Sequence, residues 1–359
     1  MTDEQAWSRV ELAALVALVV GILGCAIGAA GSAPAFYRAW LCAHVFWLGL
    51  PLGAVTLVLV QDLTGGAWMA SARPVLAAAA TTMPVATLAG IPVLLGLQAI
   101  YPWPAASGLG NAWYLNIGFF TMRYAIDLVL WNGIAAYALW APRGIAVGVE
   151  PGLRWVSAVG LLLLAYTVGF AAIDWVLSLD PHFWSAVFPM IMGAYWFNTG
   201  LAIVVVVVAL LPASALVRDH LGDLAAILFA MIIFWAYVEF CQFLIVWEGN
   251  LSHEIPWYLR RIAGEWRSVT WLIAVGGFFL PFALLLWRKR SRLVVIAAGA
   301  LVVASRLVES GWLVLPEFPQ RPPIWLDLAA VLALGGLMLF LFLRRLRSGA
   351  LSLAGLGAT

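Results

Sequence analysis

Runs of predominantly apolar residues, each close to the roughly twenty needed to cross a bilayer as a helix, recur along the whole chain and leave little between them. Ten are read, at about 11–30, 36–60, 74–100, 112–140, 153–178, 184–211, 220–246, 267–287, 293–313 and 324–343. In lipid every backbone polar group must be satisfied inside its own segment, so runs of this kind fold as helices. The expectation is an all-α polytopic membrane protein with ten transmembrane helices, residues 1–359 forming one integral membrane domain. Composition agrees: 65% of residues are hydrophobic and only 10% charged, against about 25% charged in an average soluble domain. Soluble globular, disordered and nucleic-acid-binding chains are thereby excluded. Pro51, Pro84, Pro92, Pro189 and Pro281 fall inside runs and predict local kinks. The acidic start Met1-Thr2-Asp3-Glu4 and the length of the first run predict no cleavable signal peptide.

Loop charges predict the orientation. Twelve of the 19 basic residues fall on the side that would hold both termini (side A), including Arg9, Arg73, the Arg288-Lys289-Arg290-Arg292 cluster and Arg344, Arg345 and Arg347. Five fall on the opposite side B: Arg38, Arg260, Arg261, Arg267 and Arg321. Side A is therefore expected to be cytoplasmic, with both termini inside. Many of the 20 tryptophans lie near run ends, where amphipathic rings favour the headgroup level.

Several chemistries have no residues to carry them. Cys25, Cys42 and Cys241 are far apart, which excludes a covalent haem c, an iron–sulfur cluster and a zinc finger within the chain. Of four histidines only His44 lies well inside an apolar run, so no pair of axial haem ligands is evident. The single lysine, Lys289, follows Arg288, not glycine, so a phosphate-cradling loop is missing. No metal site and no catalytic residue is assigned.

What remains is a small set of ionisable residues inside the membrane, a functional hypothesis by default. Arg123 and Asp127 are four apart and expected to pair on one face of the fourth run. Arg306 and Glu309, three apart, form a second expected pair near the end of the ninth. Glu239, Asp174 and His44 complete the set, and most of these groups lie towards side B. An apolar slot near the headgroups, with aromatic walls and a carboxylate or histidine to take protons, is what a quinol site needs. The side-A half is poorer, with Asp62 and Asp223 expected near its surface, so a proton path there would lean on Ser, Thr, Tyr and water.

The run Asp174-Trp175-Val176-Leu177-Ser178-Leu179-Asp180-Pro181-His182-Phe183-Trp184-Ser185 resembles the D-W-x-x-S-L-D-P-H-W signature of the F subunit of alternative complex III. Phe234-Trp235-Ala236-Tyr237, Gln242 to Trp247, and Trp257-Tyr258-Leu259-Arg260-Arg261 resemble further segments of that subunit. The chain departs from the pattern at Phe183-Trp184 and in its short loops. The resemblance implies the polysulfide-reductase membrane-anchor family, with two four-helix bundles, spans 2–5 and 6–9, flanked by spans 1 and 10. It implies a complex that oxidises quinol and passes electrons onward through separate haem c and iron–sulfur subunits. Quinone or quinol is then the expected ligand, with no covalently bound cofactor, and the expected partners are those subunits, other membrane subunits and lipid. His44, Arg123, Asp127 and Asp174 would belong to the first bundle, and Glu239, Arg306 and Glu309 to the second. Asp180, Pro181 and His182 would be the family signature. A faint repeat sets Trp175-Val176-Leu177 with Asp180 beside Trp312-Leu313-Val314 with Glu317. The rival expectations are a purely structural anchor for cofactor-bearing subunits and a secondary transporter.

Overall fold

A computed structural model describes residues 3–144, 148–211, 215–288 and 291–356. Lys289 and Arg290 of the expected basic loop lie outside the described residues. The helices run in chain order α1 (Asp3–Gly31), α2 (Ala33–Thr64), α3 (Arg73–Ala80), α4 (Met83–Leu88), α5 (Ile91–Leu95), α6 (Leu97–Ile100), α7 (Ile117–Trp140), α8 (Arg154–Trp175) and α9 (Phe188–Leu210). They continue as α10 (Ala215–Gly249), α11 (Ile255–Ile262), α12 (Trp266–Ala274), α13 (Leu280–Arg288), α14 (Arg292–Val314) and α15 (Ile324–Leu356). A minimal antiparallel ribbon, Arg143–Gly144 with Gly148–Val149, joins α7 to α8.

Among the described residues, nine helices or helical stretches are long and apolar enough to cross a membrane, from Trp7–Gly31 to Ile324–Ser348. Their bounds follow the expected runs closely. The exception is α7, whose 24 residues reach about 36 Å but carry Arg123, Asp127 and Asn132 among their apolar residues. It also starts later than the run suggested. Asn116 turns the chain and caps the helix, its Oδ1 accepting from Phe119 N at 2.9 Å.

The prolines act unequally. Pro51 sits inside an unbroken α2. Pro189 occupies the first turn of α9, where its missing N–H costs nothing. Pro281 follows a π-helical turn, Val275–Phe279, that joins α12 to α13. Pro84 and Pro92 lie in a third run split into α3 to α6. Backbone carbonyls at these breaks are met by side chains from neighbouring helices. Trp40 Nε1 donates to Ala89 O at 2.7 Å and Tyr124 Oη to Thr87 O at 2.6 Å.

Lipid supplies no hydrophobic drive between helices, so close backbone approach through small residues does that work. The central contact is α2 on α9. A Cβ placed at Gly200 would lie 2.5 Å from Gly49 O and 2.7 Å from Gly53 Cα. From this axis α2 packs on α3, α7 and α8, and α9 on α10 and α14. The pair α1–α15 lies outside and rests on α2. It is antiparallel: Gly21 faces Ala333, Gly24 faces Ala329 and Gly28 faces Leu326, while Gly336 faces Leu18. The start of α1 therefore sits beside the end of α15.

Because a Cβ on Gly21 would come within 2.2 Å of the Ala333 backbone nitrogen, Gly21→Leu should force α1 off α15 and destabilise the protein by about 1–3 kcal/mol. Gly31→Leu, whose Cβ meets open space, should leave the thermal unfolding midpoint in detergent unchanged.

Candidate functional site

The expected helix-internal pair of Arg123 and Asp127 is replaced by a pair between helices. The guanidinium of Arg123 on α7 grips Asp174 on α8 in a two-pronged contact, Nε–Oδ2 2.6 Å and Nη2–Oδ1 2.6 Å. Its Nη1 donates to Tyr114 O at 3.3 Å, and the Tyr114 and Phe119 rings lie 3.9 Å and 4.2 Å from its Cζ. A planar fork matches a carboxylate best when both prongs bond. Asp127, one turn further along α7, is buried and stays within electrostatic reach of both partners.

Beside this pair the chain bends through Trp175, whose ring is 4.8 Å from that of His44 on α2. Trp131, Trp196 and Tyr124 surround Trp175 at 5.8, 6.2 and 6.4 Å. His44 is fully buried, and neither ring nitrogen has a hydrogen-bond partner. Four sequence candidates, His44, Arg123, Asp127 and Asp174, thus gather around the side-B ends of α7 and α8.

A cavity of about 530 Å³ adjoins the Arg123–Asp174 pair, lined by Tyr114, Leu177, Ser178, Asp180, Pro181 and Phe183 among others. Ser178 Oγ accepts from Trp103 Nε1 at 3.3 Å and donates to Asp174 O at 2.5 Å. The signature residues Asp180 and Pro181 therefore form cavity wall. His182 is exposed, and its backbone N–H donates to Asp180 Oδ1 at 3.0 Å.

A second centre occupies the other half of the chain. Arg306 Nη1 and Glu309 Oε2 form a fully buried ion pair at 2.6 Å, whose angles do not make it a hydrogen bond. Trp235 holds both partners, its ring 3.6 Å from the Arg306 Cζ and its Nε1 donating to Glu309 Oε1 at 3.2 Å. Glu239, one turn beyond Trp235, feels Glu309, Arg306 and Arg261. Its Oε1 and the Tyr258 hydroxyl are buried without hydrogen-bond partners.

Between the two centres lies a network that the sequence reading treated as loop charge. Arg260 on α11 bonds Asp180 at the end of the α8 segment and Glu317 at the end of the α14 segment, the latter at 2.9 Å. Arg261 bonds Glu317 at 2.7 Å and the carbonyls of Trp257, Trp312 and Leu313 at 3.0, 3.2 and 2.7 Å. Burial pushes the Arg261 guanidinium down to about 10, opposed by the Glu317 charge. Burial likewise raises the Tyr258 phenol. Phe183 from the cavity wall stacks on Trp257 at 4.7 Å, so the network also touches the cavity. The available signal was the Trp257-to-Arg261 run together with the repeated aromatic-to-acid spacing.

On side A, Asp62 lies in the last turn of α2 and is fully buried within the protein. It accepts from Ser157 Oγ at 2.7 Å, and Ser157 lies 2.9 Å from Tyr137 Oη. Among the described residues no group of three or more His, Cys, Asp and Glu could hold a metal ion. No family model matches the chain, and no curated protein matches it.

Asp174→Asn leaves the Arg123 charge buried without its carboxylate and should cost about 3–5 kcal/mol. Asp127→Asn should cost far less, since Asp127 does not grip the guanidinium. Unfolding of the two variants in detergent compares them directly; equal losses would restore the helix-internal pair.

Proposed function

We propose that the chain is the non-haem membrane subunit of a quinol-oxidising complex of the alternative complex III type. In this reading α7 is the tenth crossing. Helices α2 to α8 form one bundle and α9 to α14 the second, with α1 and α15 flanking them in a bacterial inner membrane, termini in the cytoplasm. The packing of α2 with α3, α7 and α8, and of α14 with α9, α12 and α13, supports that layout.

The observation that carries the functional reading is the juxtaposition of an aromatic-walled cavity with a buried carboxylate–guanidinium pair and an unpartnered histidine. A quinol ring is flat and apolar, with two hydroxyls that lose protons on oxidation. The cavity between Tyr114, Phe183 and Ser178 offers rings for the first property and hydrogen-bonding groups for the second. Asp174, linked to the wall through Ser178 and the Arg123–Tyr114 contact, with Asp127 and His44 behind it, accepts the protons. Electrons leave to cofactors on partner haem c and iron–sulfur subunits. The second centre, with Glu239 and Glu309 around Arg306, is a further proton-holding station. Asp62, Ser157 and Tyr137 supply the polar contact on side A.

The test uses the assembled complex. Haem and iron–sulfur subunits should co-purify with this chain. Asp127→Asn and Glu239→Gln should slow quinol oxidation by about tenfold or more, with assembly intact on a native gel. A structural anchor would lose activity only where assembly fails. Unchanged quinol oxidation and unchanged proton release in both variants would overturn the proposal.

A further inference from the structure

Two cavities that the proton chemistry does not use lie where α8 packs on α9 and α2. Their volumes are about 550 and 510 Å³. They share Thr56, Ala165, Val168, Gly193 and Phe197, and so form one groove. It is open to lipid, with Leu162 and Met190 on its walls 63% and 47% exposed. Among its lining side chains only Thr56 has a hydroxyl, which donates to Leu52 O at 2.8 Å, and the Trp196 N–H is taken by Val45 O. The groove offers apolar contact and no free polar group.

The same two helices lead from this groove to the cavity at Ser178. Ala165, Gly169 and Ile173 are spaced by four on α8 and form one ridge. Ala165 lines the groove and Ile173 the cavity. On the opposite wall Ala186 lines the cavity, while Pro189 and Met190 in the first turn of α9 line the groove. Gly169, Ile173 and Pro189 are only half-buried, so the way between the two is also open to lipid. From Ile173 back to Ala158 is fifteen residues of α8, about 22 Å of helix.

A molecule that fills both needs a compact head able to hydrogen-bond and a long, uncharged apolar chain. A phospholipid finds no counter-charge for its phosphate, since among the described residues no basic side chain lines the groove or the cavity. A quinol ring with an isoprenoid tail has both parts. We propose that the α8–α9 groove holds the isoprenoid tail of the quinol whose ring sits in the cavity. The inference rests on the quinol reading and adds to it the substrate class, a quinol with a tail of several isoprene units. In lipid the tail gains nothing by leaving water, so close packing alone retains it and the effect is modest.

The test uses the assembled complex in liposomes and compares a long-tailed quinol with the same ring carrying one isoprene unit, each at known mole fraction in the bilayer. The wild type should show a KM about fivefold lower for the long-tailed quinol. Gly193→Leu projects a side chain into the groove, its Cβ in ordinary contact 3.9 Å from Val168 Cγ1, and should abolish that difference. Gly133→Leu on α7, whose Cβ meets open space, should keep it. Independently of any variant, a photoreactive group at the far end of the tail should label Leu161, Leu162 or Ala165. Equal KM for the two quinols in the wild type, or labelling elsewhere, would overturn the tail site and leave the quinol reading standing. So would equal labelling of these residues by a phospholipid carrying the same group at the end of its acyl chain. Oxidation of neither quinol would overturn both.

Discussion

The contact on which the rest of the molecule depends is the backbone approach of α2 to α9 through Gly49, Gly53 and Gly200. With Gly200 Cα 2.8 Å from where a Cβ on Gly53 would stand, no other residue fits without separating the helices. That separation would not be local. Trp196 on α9 donates to Val45 O on α2 at 2.7 Å. Its ring forms one wall of the group that holds Trp175 beside His44. The aromatic surroundings of the first centre thus exist because two glycine faces meet where lipid alone would not drive helices together.

Buried charge is organised by a related economy. In a medium that cannot solvate ions, each guanidinium must find its partners inside the protein. Arg123 uses Asp174, a backbone carbonyl and two rings. Arg306 uses Glu309 and Trp235. Arg261 uses Glu317, three carbonyls and Trp257. In every case an aromatic face supplies part of the environment, a role that its quadrupole suits. This accounts for tryptophans deep in the chain that belong to no interfacial belt.

These partnerships also mark how far the sequence could be read. Span positions were legible because length and apolarity alone set them. The Arg306–Glu309 pair was legible because helical geometry brings residues three apart together. The same rule failed at Arg123, whose partner is 51 residues away on another helix. Spacing within a helix says nothing about which neighbour a long side chain will reach. The third span was legible as a run with prolines, yet not as four short helices. Its breaks are met by donors such as Trp40 and Tyr124 that only packing places near the carbonyls of Ala89 and Thr87. The charge network of Arg260 and Arg261 was hidden for the same reason: in sequence it is a basic loop.

The faint repeat has a physical counterpart in that network. Both α8 and α14 run on into a single 3-10 turn, Leu177–Leu179 and Leu315–Glu317. The carboxylate that follows or closes each turn lands on one residue, Arg260. Two carboxylates against one arginine would leave negative charge at a partly buried site, and the adjacent Arg261 removes that excess through Glu317. The four groups are therefore mutually dependent, and Asp180 cannot move without altering the partners left to Glu317. Since Asp180 is also cavity wall, and Arg261 is felt by Glu239 in the second centre, the network electrically connects two sites that share no hydrogen bond.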